Sequence, residues 1–164
     1  MNPRYFPFAL VLLSAPALAA DVTVQFTNPD HYTDARLENS SLPAAQASLE
    51  KNLRSYFEQL TKRFVPGDRK LTIEVLDIDL AGRFEPWRAD ADTVRFMVTT
   101  SWPSMKLRYA LTDAGGRTVA SGEELVSDPE YLRIPNMYPE GDVLRYEKPM
   151  LEKWFREKFG RFTS

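Results

Sequence analysis

Asp77 and Asp79 stand two residues apart in Lys70 to Leu80, a run rich in Ile, Val and Leu. On a strand, that spacing sends both side chains to one face. Two carboxylates so placed, joined by Glu85, Asp90 or Asp92 from the following segment, could hold a divalent cation for a metal-assisted hydrolase or share acid and base roles. Calcium sites, however, gather several oxygens in one tight loop, and no such spacing occurs here. The plainer reading is two solvated aspartates at a strand end, one of them capping the turn into Ala81-Gly82. His31 is the sole histidine and no cysteine is present. A histidine base needs a nucleophile and an orienting acid, and neither is identifiable from spacing. Beside Asp30 and Tyr32, His31 reads as a surface hydrogen-bonding residue. The missing cysteines remove thiol catalysis, zinc–thiolate sites, iron–sulfur clusters and disulfides. The expectation is therefore no catalytic residue, no metal and no cofactor.

Phe84-Glu85-Pro86-Trp87 is the other constellation of note. Two aromatics beside a stiffening proline suit an anchor for a partner surface, since aromatics dominate interface energetics. The competing account has Trp87 folding back over an open end of the core. Asp77, Asp79, Phe84, Glu85 and Trp87 together form the candidate interaction surface. The partner expected is an unknown envelope protein or envelope component. Tyr146-Glu147-Lys148 reads as a helix-start device, with Glu147 favourably placed near the positive end of the helix dipole. The preferred function is a non-catalytic binding or interaction module. The hydrolase is one alternative. A carrier of a small apolar ligand is another, and it would need a closed cavity of a few hundred Å³ between sheet and helices.

The elements that must position these residues follow from periodicity. Val22 to Thr27 alternates as a strand, ended by Asn28-Pro29-Asp30. Leu42 to Phe64 is a helix, with Ala45, Leu49, Leu53, Tyr56, Phe57, Leu60 and Phe64 as its apolar stripe. Ser41 can cap it, Glu50–Arg54 and Glu58–Lys62 are favourable pairs, and Pro66-Gly67 stops it. Lys70 to Leu80 is a strand and Ala81 to Asp92 a long loop. Thr93 to Ser101, Ser104 to Asp113 and Arg117 to Val126 read as three further strands. Asp113-Ala114-Gly115-Gly116 forms a hairpin turn between the last two. After a loop with three prolines, Pro149 to Phe159 is a helix burying Met150, Leu151, Trp154, Phe155 and Phe159, with Glu152–Arg156 outside. Asp142 to Lys148 reads as a turn or short strand. The order β-α-β-β-β-β-α predicts an α+β fold: a mainly antiparallel sheet of four or five strands with two helices on one face.

The chain opens with Arg4, an apolar run from Tyr5 to Leu13, and Ala17-Leu18-Ala19. That pattern is a secretory signal peptide with cleavage expected between Ala19 and Ala20, giving a periplasmic or secreted protein with one domain from 20 to 164. The run falls short of the roughly 20 apolar residues a bilayer span needs, and no integral membrane segment is expected after cleavage. Loss of Arg4 takes the formal charge from −2 to −3. Interleaved charges of that balance exclude the basic stripe a nucleic-acid partner requires.

Several segments, in order, carry a likeness: Asn28-Pro29-Asp30-His31-Tyr32-Thr33-Asp34, Leu76 to Gly82, Thr93-Val94-Arg95 with Trp102-Pro103, and Tyr146-Glu147-Lys148 leading to Met150-Leu151 and Trp154-Phe155. Together they resemble the domain-of-unknown-function family 3016, a set of exported bacterial proteins of about this length. The likeness spans essentially the whole chain beyond the signal segment. It implies an exported single-domain protein and no particular activity. Thr93 departs from the pattern, which has an apolar residue there.

Overall fold

The computed structural model describes residues 20–37, 43–87 and 94–162. The signal segment, Ser41, Leu42, Asp90, Asp92 and Thr93 lie outside them. Strand β1 spans Asp21–Phe26, helix α1 Pro43–Phe64, β2 Lys70–Asp79, β3 Ser104–Thr112, β4 Thr118–Ser127 and helix α2 Glu147–Phe159. One-turn 3-10 helices cover Pro29–His31 and Gly160–Phe162. The sheet runs β1-β2-β3-β4, with β1 parallel to β2 and the other pairs antiparallel. The fold is α+β, four strands and two packed helices in the order β-α-β-β-β-α.

Of the predicted strand Thr93–Ser101, the described part, Val94–Ser101, does not join the sheet. Antiparallel β3 already occupies the edge of β2 that it would need. Within Val94–Ser101, Phe96 forms an isolated antiparallel bridge to Arg83. The order therefore lacks the fifth strand.

Helix α1 buries Leu49, Leu53, Tyr56, Phe57, Leu60 and Phe64 as its stripe predicts, and Thr61 with them. Ala45 is only half-buried. Arg54 does not pair with Glu50. Its guanidinium donates to the Val24 carbonyl and stacks on Phe26, which shields the free edge of β1. Helix α2 starts at Glu147, two residues earlier than expected. Pro149 still lies in the first turn, where a backbone N–H has no helical acceptor to lose. Asp142 to Tyr146 are turns, with the Arg145 N–H donating to the Asp142 carbonyl.

Leu71, Ile73, Val75 and Ile78 of β2 and Met105, Leu107 and Leu111 of β3 meet Phe57, Phe155 and Phe159 in one core. Trp154 packs edge-on against Tyr109 at 5.6 Å and Phe159 at 5.5 Å. The opposite sheet face is wet. Arg108 bridges Glu74 at 2.6 Å and Glu123 at 2.8 Å, and Lys106 also reaches Glu123. At the β3–β4 hairpin, the Asp113 carboxylate accepts the Gly115 and Arg117 N–H groups, and Gly116 takes φ 79°.

Candidate functional site

The predicted site residues gather where β2 ends. A bulge at Leu76 breaks the β2–β3 register between Val75 and Asp77 and adds twist. Beyond it, Asp77 and Asp79 leave the same face, flanking buried Ile78. Their jobs differ. Asp77 accepts the Thr33 N–H and hydroxyl, both at 2.7 Å, and also the Ile78 N–H. It ties the segment after β1 to β2. Asp34 then prolongs the parallel pairing: its N–H donates to Ile78 and its carbonyl accepts from Leu80, each at 2.9 Å. Asp79 lies beside this pair. Partial burial, and then the Asp34 and Asp77 charges, raise its carboxyl above the ordinary range, with Arg95 opposing. Among the described residues, no group of three or more His, Cys, Asp or Glu could hold a metal ion.

The chain after β2 is held from three sides. Gly82 adopts φ 72°, and a Cβ there would fall 2.6 Å from the Phe96 carbonyl oxygen, so only glycine fits. Its N–H donates to the Ser101 carbonyl, and the Ser101 hydroxyl donates back to Gly82. Arg83 and Phe96 exchange backbone bonds of 3.0 and 2.8 Å.

Arg95, only 10% exposed, is the second restraint. It donates to the carbonyls of Ala81, Leu80, Gly82 and Arg36 and to the Asp34 carboxylate, over 2.8–3.1 Å. That occupies the guanidinium's five N–H donors. Glu147 is the third. It is buried and accepts the Ala81 N–H at 2.9 Å. Burial raises its carboxyl above the usual range, against the pull of that N–H and of Arg95. Glu147 is thus a tether between β2 and α2 as well as a helix-start residue.

Phe84 stacks between Arg95 at 5.0 Å and Arg36 at 5.7 Å. Glu85, expected on the interaction surface, is buried and takes the Arg83 guanidinium at 3.1 and 3.2 Å. Trp87 turns outward, 73% exposed, so it does not close the core edge. The structure therefore places Asp77, Asp79 and Phe84 near the end of β2, leaves Trp87 exposed on the chain beyond, and withdraws Glu85 as an internal support. Sequence reasoning missed Arg95 and Asp34 as organisers. Both lay in segments that carried the family likeness, but nothing local to either revealed its partner.

A four-stranded mixed sheet, two helices on one face and an aromatic loop at the end of β2 define the class. Within it, the chain belongs to the family described as protein of unknown function DUF3016, whose family model matches residues 20–157. No curated protein matches the chain. Two solved structures are similar. One is a PelC dodecamer from Paraburkholderia phytofirmans carrying one substitution, at TM-score 0.34 and 15% identity over 85% of this chain and 88% of that one. The other is a PelC dodecamer from the same organism, at TM-score 0.30 and 16% identity over 85% and 89%. At those scores neither likeness bears on function. No helix among the described residues is long and apolar enough to cross a membrane.

Proposed function

We propose that this protein is an exported, non-catalytic binding module that presents Trp87 to another component of the cell envelope. One observation carries the reading: Trp87 is 73% exposed on a loop whose backbone is pinned by Gly82, Arg95 and Glu147. A large aromatic held out by a rigid support loses little entropy on docking. A partner that covers the ring would gain by removing its apolar surface from water. Export is supported by the Tyr5–Leu13 run and Ala17-Leu18-Ala19.

A photo-crosslinking residue in place of Trp87, expressed in the native host, tests the reading. Capture of one defined envelope component, competed away by unlabelled protein and absent when the label sits at Arg117 on the hairpin, is the expected result. Equal, unspecific capture from both positions would refute it.

A further inference from the structure

A second feature borders the polar clamp that holds the chain after β2. A cleft of about 300 Å³ opens where Leu80 and Ala81 meet Arg95, Met97 and the 140–147 segment leading into α2. Leu37, Leu80, Met97 and Val143 supply apolar wall. The charged groups lining it are Arg95, Glu140, Asp142, Arg145 and Glu147, and they differ in how far they are satisfied. Arg95 has its donors engaged by four carbonyls and Asp34. Asp142 holds the Lys148 ammonium and the Leu144 N–H. Glu147 holds the Ala81 N–H. The remainder is Arg145 and Glu140. Glu140 is 94% exposed and approaches Arg145 only at 3.7 Å.

Arg145 is 22% exposed. Its Nε is buried and makes no hydrogen bond among the described residues. Its backbone is fixed by its N–H to the Asp142 carbonyl and by the Asn136 amide on its own carbonyl, at 3.1 and 2.8 Å. A cation is therefore held in place at a cleft with one apolar wall; one edge of that cation is cut off from water, and its partners are the exposed Glu140 at 3.7 Å and the Tyr146 ring at 5.7 Å.

We propose that this cleft binds a small amphiphilic anion, its carboxylate on Arg145 and a short apolar chain against Leu37, Leu80, Met97 and Val143. A planar carboxylate matches the guanidinium's fork of donors. The desolvated edge of Arg145 lessens screening of its charge, which strengthens the attraction. Glu140 can be displaced at little cost, because exposed ion pairs contribute little. The volume corresponds to about ten waters, which accommodates a chain the size of octanoate. The neutral amide of the same chain would fill the apolar wall equally well but leave the charge of Arg145 unmatched.

Titration of the purified protein with sodium octanoate, followed by amide and arginine side-chain NMR shifts, tests this. Saturable shifts at Leu80, Ala81, Met97, Val143 and Arg145, with millimolar or tighter affinity, are expected. Arg145→Gln should weaken binding by about tenfold or more, the value of one charge-assisted pair, and octanamide should not bind at those concentrations. Val143→Trp fills the cleft from an exposed position and should abolish binding while the protein stays folded, so the test does not depend on how Arg145→Gln folds. Octanamide binding as tightly as octanoate, or octanoate binding undiminished by both variants, would overturn the proposal. So would the absence of saturable shifts in the cleft.

Discussion

Trp154 and Trp87 are the same side chain in opposite circumstances. Trp154 is 5% exposed, edge-on to Tyr109, Phe155 and Phe159, and its indole N–H donates to Glu124 at 3.1 Å. Trp87 is 73% exposed. The region around Trp154 is held by apolar packing, which needs only matched faces. The loop leading to Trp87 is held by directional polar bonds, to carbonyls at Leu80, Ala81 and Gly82 and to the Ala81 N–H. The two ends of the molecule should therefore fail in different ways. Packing loss should lower global stability, whereas damage to the polar clamp should release the loop and leave most of the core intact.

Four substitutions probe this contrast. Trp154→Ala should cost ~3–5 kcal/mol, because it opens a cavity beside Tyr109, Phe155 and Phe159. Denaturant unfolding checks it, and a midpoint near that of the parent would mean that the aromatic cluster is not the core. Gly82→Ala should cost about 2 kcal/mol or more, since alanine suffers both at positive φ and against the Phe96 carbonyl. Hydrogen exchange should then quicken at Gly82, Arg83 and Phe96 well before the Phe57–Phe155 core. Exchange rising uniformly would erase the distinction between the two regions.

Asp79→Asn should act in the other direction. The raised carboxyl of Asp79 means that the folded state tolerates the protonated form better than the charged one. Its favourable contribution is thus present below the ordinary aspartate range and is lost as pH rises through the folded value. Asparagine should raise the melting midpoint at neutral pH, by less than either loss above. The gain should vanish in acid, where the parent aspartate is protonated too. A gain that persisted in acid would rule out charge as its origin. Trp87→Ala should move stability least, within ~0.5 kcal/mol, as surface substitutions do, while removing partner capture. A large drop in midpoint would make Trp87 part of the packed region after all.

The elements were legible in the sequence because their causes are local. The three-to-four spacing from Leu49 to Phe64 determines α1, alternation determines β1 and β3, and Asp113-Ala114-Gly115-Gly116 determines the hairpin. Of the residues expected on the interaction surface, Asp77 and Asp79 do leave one face at the end of β2, and the exposure of Trp87 tells against its folding back over the core. The run from Thr93 to Ser101 misled because its alternation suits a strand, while strand membership depends on a free neighbouring edge. Glu85 misled because charge alone predicts solvent, whereas Arg83 allows it to be buried.

By itself, then, the sequence determined the two helices and the four strands of the sheet, the cysteine-free chemistry, the apolar stripes and the family likeness. These depend on residues a few positions apart. Tertiary structure alone decided that Arg95 gathers carbonyls from Arg36 and from Leu80, Ala81 and Gly82. It also decided that Asp34 extends the sheet, that Glu147 reaches Ala81, and that Arg145 faces a cleft. Each of those contacts joins distant positions, as with Ala81 and Glu147, 66 positions apart. A polar side chain has the same donors and acceptors wherever it sits; only packing selects which of them water no longer reaches.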